Sequence, residues 1–277
     1  MPEVTRPLIR YHGAKWMLAP WIISYMPPHR VYIEPYGGGG AVLLRKSRVH
    51  EEIYNDLDSD IVNLFRVARD NGKELIRLIE LTPFSREEYM QAYTPTDNPM
   101  EQARRTIIRA FMGRSSGGAT GNLSKTGALS TGFKGKTRGA GKTAAKVWAG
   151  YPESLLAVIE RLQGVIIENR DALEIIESHD CKDALFYIDP PYVLSTRDSG
   201  KDYRHEMTNE DHVALAEKLN QVKGMVIVSG YQSDLYEQLY SGWIRREKSF
   251  HADGMLPRTE VLWMRNIAID LFDGEWQ

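Results

Sequence analysis

Apolar positions in this chain fall into short runs that stop at an acid or a glycine, separated by stretches with helical spacing. Val31-Tyr32-Ile33-Glu34-Pro35-Tyr36 alternates, then runs into Gly37-Gly38-Gly39-Gly40, and Ala41 to Lys46 reads as a helix. Strand, glycine turn and helix in that order form the first unit of a doubly wound α/β fold. Ile53-Tyr54-Asn55-Asp56 predicts a second strand with an acid at its tip. A helix is expected from Asp58 to Asp70, with Ile61, Leu64, Phe65 and Ala68 on one face. Strand followed by acid returns at Val165 to Asp171, with a helix over Ala172 to Ser178. Asp183 to Ile188 is an apolar and aromatic run of the length of a buried strand. Thr208-Asn209-Glu210-Asp211 starts another helix, with Val213, Leu215, Ala216 and Leu219 as its apolar face. Gly224 to Tyr231 predicts a further buried strand, and Trp243 to Phe250 with Arg258 to Asn266 a closing antiparallel pair.

Between these halves the pattern changes. Lys73 to Met112 is helical throughout, with Ser85-Arg86-Glu87-Glu88 a capping-box start. Gly113 to Gly141 is rich in Gly, Ser, Thr and Lys and has too few apolar residues to form a core; a loop of this length in a compact domain is functional or disordered. Gly141-Lys142-Thr143 imitates the end of a phosphate-binding loop, but the position of its first glycine is Lys136 and no strand precedes it, so an ATP site is rejected. The expected organisation is one α/β domain built from residues 1–70 and 151–277, carrying an insertion at 71–150.

Length and composition suit this plan: 277 residues, 42% hydrophobic, are enough for a full core. No apolar run reaches about 18 residues and no signal-peptide pattern is present, which predicts a soluble, cytoplasmic protein without a membrane partner. Cys181 is the single cysteine and no His-x-x-x-His pair occurs, so no metal site is expected. Charge changes the picture more. The chain carries a net −2, yet Arg104 to Gly150 holds ten basic residues and no acid. Such a block is the footprint of a phosphate-backbone partner, although a solvated linker has the same composition. Its candidate contacts are Arg105, Arg109, Arg114, Lys125, Lys134, Lys136, Arg138 and Lys142.

Two groups of residues carry the chemistry. Asp189-Pro190-Pro191-Tyr192 follows the buried strand, where ligands bind in open α/β sheets. The prolines stiffen the turn and leave its carbonyls as acceptors. A carboxylate, a carbonyl and a flat aromatic face suit a planar ligand with an exocyclic amine. Asp56 lies 19 residues after Gly37, the spacing at which an acid holds a ribose diol in such folds.

These motifs resemble those of the DNA adenine N6-methyltransferase family, Dam-like in their order. The likeness covers Tyr11 to Asp60 and Val165 to Asn266. It implies a Rossmann-like methyltransferase sheet, mostly parallel with a closing antiparallel hairpin, plus an inserted helical DNA-recognition region. It implies S-adenosylmethionine as cofactor and double-stranded DNA as substrate. In the family an aromatic-x-Gly-x-Lys segment reaches across the cofactor, which would give that role to Tyr11 and Lys15. Glu34-Pro35-Tyr36-Gly37-Gly38-Gly39 resembles the acidic-Pro-Phe-x-Gly-x-Gly cofactor motif, which marks Glu34, Tyr36, Gly37 and Gly39. Asp171, by similarity to the family's Gly-Asp-Phe segment, would accept the cofactor's adenine amine; it would equally cap the following helix. Asp189 and the Pro190 carbonyl would accept the two N6–H groups of the target adenine, and Tyr192 would stack on the base. The base would have to flip out of the duplex. No covalent intermediate is required, and Cys181 lies outside any Pro-Cys motif. Cytosine N4, RNA or a protein amide stays open as the acceptor, as does a catalytically silent DNA-binding relative. The target sequence and a companion restriction enzyme are not legible.

Overall fold

The computed structural model describes residues 3–114, 132–135, 143–197, 203–251 and 257–267. Seven strands form one sheet: β1 (Val31–Glu34), β2 (Glu51–Asn55), β3 (Ile166–Glu168), β4 (Ala184–Ile188), β5 (Met225–Gly230), β6 (Ile244–His251) and β7 (Pro257–Arg265). Their order is β3-β2-β1-β4-β5-β7-β6. The first five are parallel, and β7 runs antiparallel to both β5 and β6. From β1 the chain winds outward through β2 and β3, then returns to β4 on the other side of β1. The boundary between β1 and β4 is therefore the topological switch point, where a crevice opens beyond the strand ends.

Alternation along the central strands feeds two apolar layers. Tyr32, Tyr54, Leu185, Tyr187 and Ile227 point into one, while Ile33, Ile53, Phe186, Ile188, Val226 and Val228 point into the other. Both faces are buried, which is why these strands read as continuous apolar runs. The second layer is closed by α8 (Ala172–Ser178), α9 (Asn209–Leu219) and α10 (Asp234–Leu239). On α9 the buried residues are Leu215, Ala216 and Leu219 with His212, whereas Val213 is only half-buried.

The first layer is closed by α1 (Ala19–Ile23), α2 (Ala41–Arg45), α3 (Ser59–Leu81), α4 (Arg86–Gln91), α5 (Pro99–Met112), α6 (Ala144–Ala149) and α7 (Tyr151–Leu162). The helix expected to stop at Asp70 bends instead at Asn71 (φ −133°, ψ 32°) and continues to Leu81. Gly72 lies at this bend because α7 is close: a Cβ there would stand 2.5 Å from Ile159 Cδ1. The helical stretch expected from Lys73 to Met112 comprises the end of α3, then α4, which begins at the expected Ser85 start, and then α5. Ser85 caps α4 by accepting from the Glu88 amide, and Asn98 caps α5 by accepting from the Glu101 amide. Tyr89, Ile107, Phe111 and Trp148 of the 71–150 region lie in the same apolar layer as the sheet residues Tyr32 and Leu185. Beneath it, Glu52 of β2 receives Arg161 of α7 at 2.6 Å and Lys46 at 2.7 Å, all three buried.

Candidate active site

Two loops meet at the switch point. The first leaves β1 at Glu34. The Gly37 amide donates to the Asn55 carbonyl at 2.7 Å, tying the loop to β2. Any side chain at Gly37 would collide with Tyr54, whose ring comes within 2.2 Å of the Cβ position. Gly38 has φ +47°, which turns its amide onto Asp56 Oδ2 at 2.7 Å. The other Asp56 oxygen accepts from the Asp58 amide at 2.8 Å. Burial pushes the Asp56 carboxyl up to about 6 against the pull of these two amides.

Around this loop lies a cavity of about 270 Å³. Its wall includes Tyr11, Lys15, Glu34, Tyr36, Gly37, Gly39, Asp56 and Asp171, all eight residues expected to hold a cofactor. Tyr11 lies across the glycines, 3.0 Å from where a Gly38 Cβ would be. Glu34 is 2% exposed, and its Oε2 accepts from the Tyr32 phenol at 2.8 Å and the Leu43 amide at 3.0 Å. Burial raises its pKa to about 8. Asp171 caps α8, Oδ1 accepting from the Leu173 amide at 2.8 Å, and lines the cavity as well.

The second loop carries Asp189-Pro190-Pro191-Tyr192 from the end of β4. Asp189 and Pro191 line the cavity; Pro190 and Tyr192 are buried beside it. Asp189 Oδ1 accepts from Ser229 Oγ at 2.8 Å, and the Lys15 ammonium lies 3.0 Å from the same oxygen. Lys15 also donates to the Gly13 carbonyl at 2.8 Å and stands 4.7 Å from the centre of the Tyr192 ring. Burial alone would lower the Lys15 pKa, but Asp189 and Glu260 outweigh it and hold the group charged. The Tyr192 phenol donates to Glu260 Oε1, and its ring meets Tyr231 edge-on at 4.7 Å. Glu260 is 1% exposed, and burial raises its carboxyl to about 7.

Several of these groups escape a reading of the sequence. Ser229 is brought to Asp189, and Glu260 to Lys15 and Tyr192, by sheet pairing: β5 lies beside β4, and β7 beside β5. Their one signal in the sequence is a polar residue next to an apolar run, Ser229 after Met225 to Val228 and Glu260 before Val261 to Met264. The stretch Val193 to Met207 reads as a polar connection, yet Tyr203, Arg204, His205, Glu206 and Met207 line the cavity. Arg204 reaches Asp58 at 2.7 Å and Asp60 at 2.9 Å. Arg197 pairs with Glu206 at 2.5 Å, and Tyr203 meets the His12 ring at 5.5 Å.

The basic block needs correction. Arg109 is 5% exposed and donates to the Ala92 carbonyl at 2.9 Å and Thr106 Oγ1 at 3.0 Å, so it holds helices together and cannot meet a phosphate. Arg105, with its side chain 17% exposed, is paired with Glu101 at 2.7 Å and donates to the Thr94 carbonyl at 2.5 Å. Arg104 is bound by Glu88 and Glu101, each at 2.7 Å. The acids that neutralise α5 lie before residue 104, outside the window that showed only positive charge. Arg114 is exposed and Lys134 half-buried, joined by the backbone bridge between Gly113 and Phe133. Lys125, Lys136, Arg138 and Lys142 lie outside the described residues, as does most of the Gly113 to Gly141 stretch.

Among the described residues no helix is long and apolar enough to cross a membrane, and no group of three His, Cys, Asp or Glu side chains could hold a metal. A parallel sheet closed by a reversed β7, with a glycine loop and two strand-end acids at its switch point, is the Rossmann-like fold of a methyltransferase. The chain belongs to the D12 class N6 adenine-specific DNA methyltransferases, whose family model matches residues 11–252. It is thus an adenine-specific DNA methyltransferase. It is 29% identical over 258 residues to the type II methyltransferase M1.LlaDCHI of Lactococcus lactis subsp. cremoris, covering 85% of this chain and 84% of that protein. It is 23% identical to the type II methyltransferase M.MjaIII of Methanocaldococcus jannaschii, covering 86% and 89%. The DNA adenine methylase of Haemophilus influenzae is 24% identical, with 86% and 83% covered.

Proposed function

We propose that the cavity binds S-adenosylmethionine and that Asp189, at its edge, receives the amine of an adenine flipped out of double-stranded DNA. The observation that carries this reading is the shared wall: Asp56 after β2 and Asp189 after β4 open onto one cavity from either side of β1. The donor set fits the cofactor. Asp56 spends one lone pair of each oxygen on a backbone amide and keeps others for a ribose diol. Asp171 keeps a second oxygen for an adenine amine after capping α8. Gly37 to Gly39 bring bare backbone to the wall, and Tyr11 and Tyr36 offer rings. When bound, the sulfonium supplies an electrophilic methyl group.

The remaining work belongs to the protein. The adenine N6 lone pair is delocalised into its ring and is a weak nucleophile. Asp189 accepts one N6–H and the Pro190 carbonyl the other, favouring a pyramidal nitrogen with an available lone pair. Both contacts strengthen as the nitrogen becomes positive, so they stabilise the transition state selectively. Ser229 and the stiff Pro190-Pro191 turn hold the carboxylate in place. Tyr192, fixed by Glu260, presents its ring to the base. Transfer is direct, with no covalent enzyme intermediate: N6 would take the methyl group as it leaves the sulfonium, and the surplus N6 proton would then leave by way of the Asp189 carboxylate. Exposed Arg114 and the neighbouring Lys134 offer phosphate contacts on the DNA side. Residues 71–150 then serve target recognition, and the protein works in the cytoplasm.

The test uses S-adenosylmethionine carrying a deuterated methyl group. Duplex DNA incubated with it should yield deuteromethyl N6-adenine on nucleoside mass spectrometry. Label on cytosine N4, or in RNA and not DNA, would refute the assignment.

A further inference from the structure

We propose that Glu260 is a positioning residue for methyl transfer, a second seat for the Lys15 ammonium that lets this cation leave Asp189 when the target amine arrives. The proposal rests on the role given to Asp189 above. Lys15 Nζ lies 3.0 Å from Asp189 Oδ1 and 3.9 Å from Glu260 Oε1, with Lys15 and Glu260 side chains 7% and 1% exposed. It also faces the Tyr192 ring at 4.7 Å. The ammonium therefore makes the contacts expected of a target amine, an N–H donor on Asp189 over an aromatic face. With the ammonium on Oδ1 and the target amine on the other oxygen, the two would draw on the charge of one carboxylate.

This sharing has an electrostatic side. The target nitrogen becomes positive as the methyl arrives, and a second cation on the same carboxylate opposes that charge. Lys15 is too deeply buried to be received by bulk water, so it needs another anion within a small rotation of its side chain. Glu260 is that anion, and the Tyr192 phenol on Oε1 fixes its orientation. One bond therefore sets both the base-facing ring and the alternative seat. The buried acid costs desolvation, and a partner cation arriving during turnover offsets it.

The experiment is a double-mutant cycle read by single-turnover methylation of duplex DNA at saturating cofactor and DNA. In Glu260→Gln the amide oxygen still accepts from Tyr192, so the ring stays, but the charge is gone. The rate should fall roughly ten- to a hundredfold, the scale of one charged hydrogen bond, with cofactor and DNA affinities unchanged. In a Lys15→Met background no ammonium has to move, and Glu260→Gln should then leave the rate where Lys15→Met put it. A wild-type rate for Glu260→Gln overturns the proposal. So does an equal loss in both backgrounds, which marks a purely structural residue. A Lys15→Met protein with no methylation over a day also overturns it, because the ammonium would then be required in place. If the Gln variant melts before assay, Glu260→Asp carries the same comparison with its charge withdrawn by one methylene. Asp189→Asn run alongside separates the two claims: full activity there removes the underlying site, whereas slow Asp189→Asn beside fast Glu260→Gln removes only the role of Glu260.

Discussion

Replacing Asp189 by Asn separates chemistry from architecture because of how its oxygens are used. Ser229 Oγ at 2.8 Å and Lys15 Nζ at 3.0 Å both address Oδ1. An Asn side chain keeps both contacts by placing its amide oxygen there. The NH2 then falls where the other carboxylate oxygen lay, and it cannot accept from a target amine. The fold, the cofactor cavity and the Tyr192 platform should survive. The loss is one charge-assisted hydrogen bond to a nitrogen that is becoming positive. That interaction is worth roughly 1.5–3 kcal/mol, or about ten- to over a hundredfold in rate. An N6–H left facing a second donor adds a penalty of about 1–3 kcal/mol, so the combined drop can reach roughly 10⁴-fold. The assay is single-turnover methylation, with cofactor binding by calorimetry and base extrusion by a fluorescent adenine analogue at the target. Slow transfer with binding and extrusion intact is the expected result. Transfer at the wild-type rate would make Asp189 a plain turn residue, and loss of DNA binding would make its role architectural.

Asp56→Ala should weaken S-adenosylmethionine binding by roughly 1.5–3 kcal/mol, the worth of a charge-assisted hydrogen bond; unchanged affinity by calorimetry would remove Asp56 from the cofactor site. Arg114→Ala with Lys134→Ala should flatten the salt dependence of DNA binding by about 0.9 per true phosphate contact. Arg109→Ala should instead lower the melting temperature and leave that slope alone, since its partners are Ala92, Thr106 and Asp60. Glu34, raised by burial from 4.5 to about 8, makes the folded protein bind more protons than the unfolded chain between those values. Its contribution to stability is therefore lost as pH rises through that window. Glu34→Gln should flatten the fall in melting temperature between pH 5 and pH 8, and an unaltered pH profile would place the titration elsewhere.

What the sequence determined by itself is local: period, punctuation and spacing. The central strands were legible because their apolar runs are short and both buried faces call for such runs, whereas the largely polar edge strand β6 was legible only as half of a closing antiparallel pair. The strand-end positions of Asp56 and Asp189 were legible, the first from its spacing to Gly37 and the second from the apolar run before it and the two prolines after it. The alternatives for Asp171 did not compete, since one carboxylate caps a helix and lines the cavity together. Tertiary structure decided whatever depends on partners far away in the chain. The charge of α5 looked available until the fold set Glu88 and Asp60 against Arg104 and Arg109. Asn71 could end a helix or bend it, and the closeness of Ile159 to Gly72 accompanies a bend. Ser229 and Glu260 carry no motif of their own. Ser229 reaches Asp189 because β5 pairs with β4, and Glu260 reaches Lys15 and Tyr192 because β7 pairs with β5; such pairing obeys register, which no local pattern records.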